Sequence, residues 1–236
     1  MRGLLGTIVN AVAIVVGSLL GKLLGKGLPE NMKNTVLQGL GLGVLLVGVS
    51  MALKTNEILV VLISLVLGGV TGEAIGIENK LESAGQALEE KVSANGDYGS
   101  VAKGFVTGTL IYCVGAMAIL GPLESQLTGN NDILFAKSLL DGVMSIVLAS
   151  TLGLGVAFSA LAVLIYQGTI AVFAQWISQF VTDPVIAEIS STGGLLIVGI
   201  ALNILEIKII KVGNLLPAIL VAGFLAVFLT SYGFLG

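Results

Sequence analysis

Residues 142–182 read GVMSIVLASTLGLGVAFSALAVLIYQGTIAVFAQWISQFVT, and no charged side chain interrupts this stretch. A helix needs about 20 apolar residues to cross the hydrocarbon core of a bilayer, so the stretch is too long for one crossing and suits two. Polar residues and glycines between Ser150 and Gly155 predict a tight turn that separates the two helices. The chain is therefore predicted to be an integral membrane protein that crosses the bilayer more than once.

The whole chain has the composition of a protein that lies in lipid. Of its 236 residues, 56% are hydrophobic and 11% are charged, whereas about 25% are charged in soluble domains. In lipid every backbone polar group must find a partner inside the protein, which leaves helices or a closed barrel. Long apolar runs without a two-residue alternation favour helices. The predicted fold class is all-α, a polytopic bundle of membrane helices.

Apolar segments of sufficient length recur along the chain, and eight of them are predicted to cross the membrane. Their predicted bounds are 3–23, 35–53, 58–77, 101–121, two segments within 133–177, 189–205 and 212–232. Lys22 and Lys26 follow the first segment in place of a cleavage site, so we expect it to be retained as a span. Seven spans remain an alternative if one segment is re-entrant.

The distribution of basic residues predicts the orientation, because cytoplasmic loops carry an excess of Lys and Arg. With the N-terminus outside, the extracytoplasmic loops hold only Arg2, Lys54 and Lys137. The cytoplasmic loops then hold the other basic residues, Lys22, Lys26, Lys33, Lys80, Lys91, Lys103, Lys208 and Lys211. The N-terminus is therefore predicted to be extracytoplasmic.

The polar stretch 78–100 is predicted to form a short amphipathic helix on the cytoplasmic side. Its apolar residues recur at helical spacing: Ile77, Leu81, Ala84, Leu88 and Val92. Asn95, Gly96, Asp97 and Gly99 predict a turn after it. The helix is either a connector that lies at the membrane interface or a docking site for a partner protein.

Several classes of chemistry are excluded by what the chain lacks. It has no histidine, and its one cysteine, Cys113, lies in an apolar run. It also has no P-loop, HExxH, GxSxG or CxxC motif. We expect no enzymatic activity, no cofactor, no metal and, with a net charge of -3, no nucleic-acid partner. The expected partners are the lipid bilayer, a small solute or ion and, in a homo-oligomer, further copies of the chain.

Two parts of the chain resemble each other. Gly6 and Gly17 match Gly104 and Gly115 at one offset, residues 34–39 resemble 137–142, and residues 66–69 resemble 165–168. We therefore predict a first three-helix half at 1–77, a cytoplasmic helix and linker at 78–100, a second half at 101–180 and two further spans at 185–236. Three spans per half would make the repeat inverted, as in many secondary transporters. Residues 40–44 match 152–156 at a different offset, and this rival alignment is incompatible with the first. Similar glycine-rich composition is the alternative explanation for these matches.

Charged residues within predicted spans are the first candidates for a site, because burying a charge in lipid is expensive. Asp141 lies about two turns into the fifth span, and Lys137 lies four residues earlier on the same helix face. Glu73 lies near the cytoplasmic end of the third span. Asp141 and Lys137 form either a structural ion pair or a site that couples transport to an ion or proton. Glu73 is either part of the transport pathway or a residue at the membrane interface.

Uncharged polar residues extend this predicted pathway. They are Asn10, Gln38, Thr151, Tyr166, Gln167 and Asn203. Each of them could instead hydrogen-bond one helix to another, which is common in membrane bundles. Glycine runs at 39–43, 153–155 and 193–194 indicate either close helix packing or interrupted helices, with 150–155 as the preferred break.

The chain also resembles a known family, the bacterial multi-pass membrane proteins called domain of unknown function 554. The motifs that carry the resemblance are Gly6 to Asn10 with Gly17, 137–142, 150–156 with Ser159, 166–168, 193–196 with Asn203, and 215–217. The resemblance covers nearly the whole chain and implies a bacterial inner-membrane protein, sometimes described as a candidate transporter. It supplies no substrate and no mechanism. Asp141, Gln167 and Asn203 fall within these motifs.

Two functions follow from these residues. The first is a secondary transporter or permease for a small solute or ion, in which Asp141, Gln38 and Gln167 line a mid-membrane site between the two halves. The second is a membrane scaffold or regulatory subunit that docks a partner through the helix at 81–92. An ion channel is a third alternative. Fold analogy alone does not decide among them.

Overall fold

The computed structural model describes residues 4–25, 29–92 and 100–232, and in these ranges the chain is helical and contains no strand. The helices are α1 Leu5–Gly25, α2 Glu30–Ala52, α3 Ile58–Ile75, α4 Ile77–Val92, α5 Ser100–Cys113, α6 Ala116–Thr128, α7 Asp132–Leu152, α8 Gly155–Val172, α9 Ala174–Ile177, α10 Asp183–Ile204 and α11 Pro217–Ser231. A 3₁₀ turn at Val212–Leu215 precedes α11. The all-α fold class is confirmed.

Within the part of the chain that the structure describes, seven helical segments are long and apolar enough to cross a membrane. In chain order they are Leu5–Gly25, Asn34–Ala52, Ile58–Ile75, Asp132–Leu152, Gly155–Val172, Asp183–Ile204 and Val212–Ser231. They correspond to seven of the eight predicted spans. The predicted turn within 150–155 is also present, where Gly153 adopts a φ of 75° between α7 and α8. Positive φ of this kind favours glycine.

The fourth predicted span, 101–121, differs from the prediction of one continuous segment. The structure divides it into α5 and α6, which are bent by 59° with respect to each other. Gly115 lies at the break with a φ of 128°, a conformation that residues with a Cβ rarely adopt. The interruption therefore falls at a glycine that the sequence interpretation used only for the repeat.

The predicted amphipathic helix corresponds to α4. It begins directly after Gly76, whose φ of 69° ends α3 and whose N–H donates to the carbonyls of Gly72 and Glu73. A Cβ at Gly85 would lie 2.9 Å from Cα of Ala102, so α4 packs closely on α5 at this point. The turn predicted at 95–99 lies outside the described residues.

The helices form two compact units. Unit 1 contains α1, α5, α6, α7 and α8, with α2 up to Leu40 and α4 from Leu81. Unit 2 contains α2 from Gly41, α3, α10, the 3₁₀ turn and α11. Each unit draws helices from both ends of the chain. The predicted division into consecutive halves and the inverted repeat stay predictions.

In unit 1, glycines bring α1 and α7 into direct backbone contact. A Cβ at Gly17, Gly21 or Gly25 would overlap a backbone carbonyl of α7, which belongs to Gly142, Ile146 and Ser150 respectively. The four-residue spacing places these glycines on one face of α1, and small residues at such spacing let membrane helices approach closely. Because residue numbers rise together on both sides of the contact, α1 and α7 are parallel.

In unit 2, the same kind of contact joins α3 to the last span. A Cβ at Gly68 would overlap Ala218, and a Cβ at Gly72 would overlap the Asn214 carbonyl. Here the residue numbers run in opposite directions, so α3 is antiparallel to the 3₁₀ turn and α11.

These directions bear on the number of crossings. Parallel α1 and α7 require an odd number of crossings between them, and α2 and α3 supply two. Antiparallel α3 and α11 require an even number, of which α7, α8 and α10 supply three. Each unit by itself therefore requires one further crossing, which the bent pair of α5 and α6 supplies. If all seven candidate helices cross the membrane, this makes eight crossings.

Candidate functional site

A buried ion pair lies on α7 in unit 1. The Lys137 ammonium contacts both carboxylate oxygens of Asp141, at 2.8 Å and 3.0 Å. Their side chains are only 7% and 10% exposed. One helical turn separates the two residues, which is the spacing at which opposite charges on a helix meet. The predicted pairing of these two residues is therefore present in the structure.

Asn10 of α1 completes this group from a distant part of the sequence. Its side-chain Nδ2 donates to Oδ2 of Asp141 at 3.0 Å. The charges of Lys137 and Asp141 cancel, and the hydrogen bond from Asn10 stabilises the carboxylate further. A buried ion pair needs such additional hydrogen bonds, because the loss of hydration can exceed the attraction between the charges.

The polar face of α7 continues one turn beyond Asp141. The Ser145 hydroxyl and the Tyr112 hydroxyl of α5 are 2.7 Å apart, and both side chains are fully buried. The sequence analysis did not select Tyr112 or Ser145. The four-residue spacing of Lys137, Asp141 and Ser145 was the available signal.

Other buried polar atoms of unit 1 have no hydrogen-bond partner among the described residues. They are Oγ1 of Thr7, Oδ1 of Asn10, Oγ of Ser18, Oγ1 of Thr109 and both amide atoms of Gln167. Each such atom costs about 1–3 kcal/mol when it is left unsatisfied. Buried polar atoms in native proteins nearly always have a partner, which is another protein group or an ordered water. The interior of unit 1 is therefore suited to contain a polar occupant.

The remaining predicted residues of unit 1 lie outside this group. Gln38 is exposed on α2, and Tyr166 is half-buried on α8. The Thr151 hydroxyl donates to backbone carbonyls of its own helix, at 3.0 Å from Leu148 and 3.4 Å from Val147. Of the predicted residues, Asn10 and Lys137 both contact Asp141, and Gln167 is buried on α8.

The two predicted residues of unit 2 connect polypeptide segments. Glu73, whose side chain is 60% exposed, pairs with Lys211 at 2.9 Å and accepts a hydrogen bond from Asn214 at 2.6 Å. Asn203 exchanges two hydrogen bonds with the backbone of Ile210, at 2.8 Å and 2.7 Å. Both residues hold the ends of membrane helices to the loop at 205–211.

Unit 2 also contains a buried acidic residue that the sequence analysis missed. Glu188 of α10 is fully buried and accepts hydrogen bonds from the Thr55 hydroxyl at 2.7 Å and the backbone N–H groups of Asn56 at 2.7 Å and Glu57 at 3.1 Å. These N–H groups lie at the N-terminal end of α3, where a helix attracts negative charge. The predicted span began at Ile189, one residue too late to include Glu188.

No cluster of three or more His, Cys, Asp or Glu residues that could hold a metal occurs within 4–25, 29–92 and 100–232.

The sequence profile described as "Protein of unknown function (DUF554)" matches residues 5–227. This chain belongs to the DUF554 family. The resemblance predicted from the motifs is thereby confirmed. Among the relatives of this DUF554 protein is the "Uncharacterized membrane protein YdfK" of Bacillus subtilis (strain 168), which is 34% identical over 92% of this chain and 93% of its own length. Another is the "Uncharacterized protein YqgA" of Escherichia coli (strain K12), which is 30% identical over 92% of this chain and 94% of its own. No solved structure matches the chain.

Proposed function

We propose that this DUF554 protein is a secondary transporter or permease for a small solute or ion. The observation that carries the proposal is the Lys137 and Asp141 pair, which is buried within a membrane helix and held by Asn10. Ionisable residues within membrane helices are expensive to insert and mark ion and substrate pathways in many membrane proteins. The unsatisfied polar atoms of unit 1 add support, since buried polar atoms in native proteins nearly always have a partner.

The chemistry of the pair suits coupling. Asp141 can take up a proton or a small cation in place of Lys137 with no change in net charge if the Lys137 ammonium gives up a proton to water in the same step. Release of Lys137 would also alter the hydrogen bond from Asn10, which connects α7 to α1. Binding of the coupling ion would thus change the contact between these two helices. A transporter requires such a coupling between ion binding and helix position.

The test is a flux measurement on purified protein in liposomes, with ions, organic acids and amino acids as candidate substrates. We expect Asp141→Asn to abolish the flux. Because Asp141→Asn leaves Lys137 buried without a partner, it could also damage the fold. The double variant Lys137→Gln with Asp141→Asn removes both charges together and avoids this problem. It is expected to fold and to remain inactive.

A matched control is available on the same helix. Asp132 is exposed in the first turn of α7, so Asp132→Asn makes the same chemical change outside the pair. This variant is expected to keep the wild-type flux. If the double variant also transports at the wild-type rate, Asp141 has no coupling role and the pair is structural.

We further propose that the protein lies in the bacterial inner membrane with an extracytoplasmic N-terminus. The excess of lysine in the predicted cytoplasmic loops supports this orientation. Assembly into a homo-oligomer and the absence of enzymatic activity stay predictions. The second candidate function, a scaffold or regulatory subunit, would be favoured if no substrate produces a flux and a partner protein binds to α4.

A further inference from the structure

We infer that Thr7, Asn10 and Gln167 form a binding site for a small uncharged polar solute in unit 1. The inference rests on the proposed transport function for the role of the site, but binding at the site can be measured separately. All three side chains are fully buried. Four of their polar atoms have no partner among the described residues: Oγ1 of Thr7, Oδ1 of Asn10, and Oε1 and Nε2 of Gln167.

Two other buried hydroxyls of unit 1 are satisfied by their own helix, whereas the hydroxyl oxygens of Ser18 and Thr109 lack a partner as that of Thr7 does. Ser138 donates to the backbone carbonyl of Leu134 at 2.7 Å, and Ser159 donates to that of Val156 at 2.6 Å. Hydroxyls in membrane helices commonly bond to the preceding turn in this way. Thr7 does not, and Gln167 has no bond from either of its amide atoms.

The helix directions bring the three side chains to one level. α8 follows α7 after a tight turn and runs opposite to it, and α1 is parallel to α7, so α8 is antiparallel to α1. A Cβ at Gly168 of α8 would lie 4.0 Å from Cδ2 of Leu4, which places Gln167 beside the first turn of α1. Side chains on a helix lean towards its N-terminus. Asn10 therefore leans towards Thr7, and Gln167 leans towards the same level from the opposing helix.

The charges around these side chains indicate which ligand they would bind. Asp141, which accepts a hydrogen bond from Asn10, is neutralised by Lys137, so a charged ligand would find no opposite charge left to pair with. The unsatisfied atoms include both donors and acceptors, since an amide offers each and a hydroxyl can act as either. A small carboxamide or alcohol matches this set of groups.

Asn10 connects this site to the ion pair. Its Nδ2 is already bonded to Asp141, so its Oδ1 is the atom that remains for the ligand. A donor on the ligand would polarise the Asn10 amide and strengthen its hydrogen bond to Asp141, because hydrogen bonds in series reinforce one another. The Asn10 amide would thus contact the solute through Oδ1 and Asp141 through Nδ2.

The test measures the thermal midpoint of the purified full-length protein with acetamide as the probe. Acetate and methylammonium serve as charged probes of similar size. Acetamide at about ten times its Kd is expected to raise the midpoint by roughly 3 °C, whereas the charged probes have no effect. The shift is expected to disappear in Gln167→Leu and in Thr7→Val, of which the second conserves the shape of the side chain.

Gln126→Leu is the matched control, because Gln126 is exposed on α6. It is expected to keep the acetamide shift, which would show that loss of the shift in Gln167→Leu is not a general effect of replacing glutamine by leucine. The inference is overturned if acetamide produces no shift, if acetate produces an equal shift, or if the acetamide shift persists in both site variants. Acetamide binding without any flux would support the binding site and reject the transport function. Flux of another solute without acetamide binding would support the transport function and reject the binding site.

Discussion

Glu188 shows how much a single buried acidic residue can hold together in unit 2. Its carboxylate accepts three hydrogen bonds from residues 55–57, at the N-terminal end of α3. Glu188→Gln can keep both backbone hydrogen bonds at Oε1, but its Nε2 cannot accept from the Thr55 hydroxyl, and the remaining bonds lose a charged acceptor. We expect a loss of about 1–3 kcal/mol in the free energy of unfolding, which lowers the thermal midpoint by several degrees. Thermal unfolding in detergent measures this change.

The control for this prediction is Glu57→Gln. The Glu57 side chain is exposed, and it is the backbone N–H of Glu57 that bonds to Glu188, so the substitution preserves the contact. Its midpoint should stay within one or two degrees of the wild type. Equal midpoints for Glu188→Gln and the wild type would show that the carboxylate is not needed to hold the start of α3.

Local residue relationships could be predicted from the sequence, but contacts between distant residues could not. Lys137 and Asp141 are four residues apart on one helix, so helical spacing alone predicts their pairing. Asn10 is separated from Asp141 by 131 residues, and spacing contains no information on such a contact. Gln38 and Gln167 looked equivalent in the sequence, since hydropathy does not show which face of a helix is buried.

At the scale of helices, the contact of α1 with α7 depends on the absence of side-chain atoms. A Cβ at Gly21 would overlap the carbonyl oxygen of Ile146, which is backbone and cannot turn away. Gly21→Ala is therefore expected to separate the two helices locally and to destabilise the protein by about 1–3 kcal/mol. The decrease in thermal midpoint measures the effect.

Gly39 of α2 provides the comparison for Gly21→Ala. A Cβ at Gly39 would meet no atom within 4 Å. Gly39→Ala is therefore expected to leave the stability unchanged or to raise it by up to about 1 kcal/mol, because alanine favours helix more than glycine does. Similar midpoints for the two alanine variants would contradict the close approach of α1 and α7.

Hydropathy predicted where most of the membrane helices lie, but it predicted only one of the two interruptions at Gly153 and Gly115. The turn near Gly153 was predictable, because an apolar run too long for one span must contain a turn and glycines lay near its middle. The break at Gly115 was not, because the segment 101–121 has a suitable length for one span. Positive φ at a glycine depends on packing that hydropathy does not describe. The parallel contact of α1 with α7 likewise depends on tertiary structure.

At the scale of the whole molecule, the bent pair of α5 and α6 decides the topology. If the pair crosses the membrane, Lys80 before it and Asn130 after it lie on opposite sides. If the pair is re-entrant, both lie on the same side. The directions of the helices within each unit favour a crossing. The abundance of lysine near Lys80 further predicts that its side is the cytoplasm.

Labelling of single cysteines with a membrane-impermeant maleimide tests this prediction in intact cells. In a background that carries Cys113→Ala, Asn130→Cys is expected to be labelled, whereas Lys80→Cys should react only after the cells are permeabilised. Both positions are exposed, so burial in the protein does not prevent labelling. Lys54→Cys, in the loop between α2 and α3, is the positive control, because eight crossings place it on the same side as Asn130. Equal labelling of Lys80→Cys and Asn130→Cys would mean that the pair is re-entrant, and the parallel contact of α1 with α7 could then not exist.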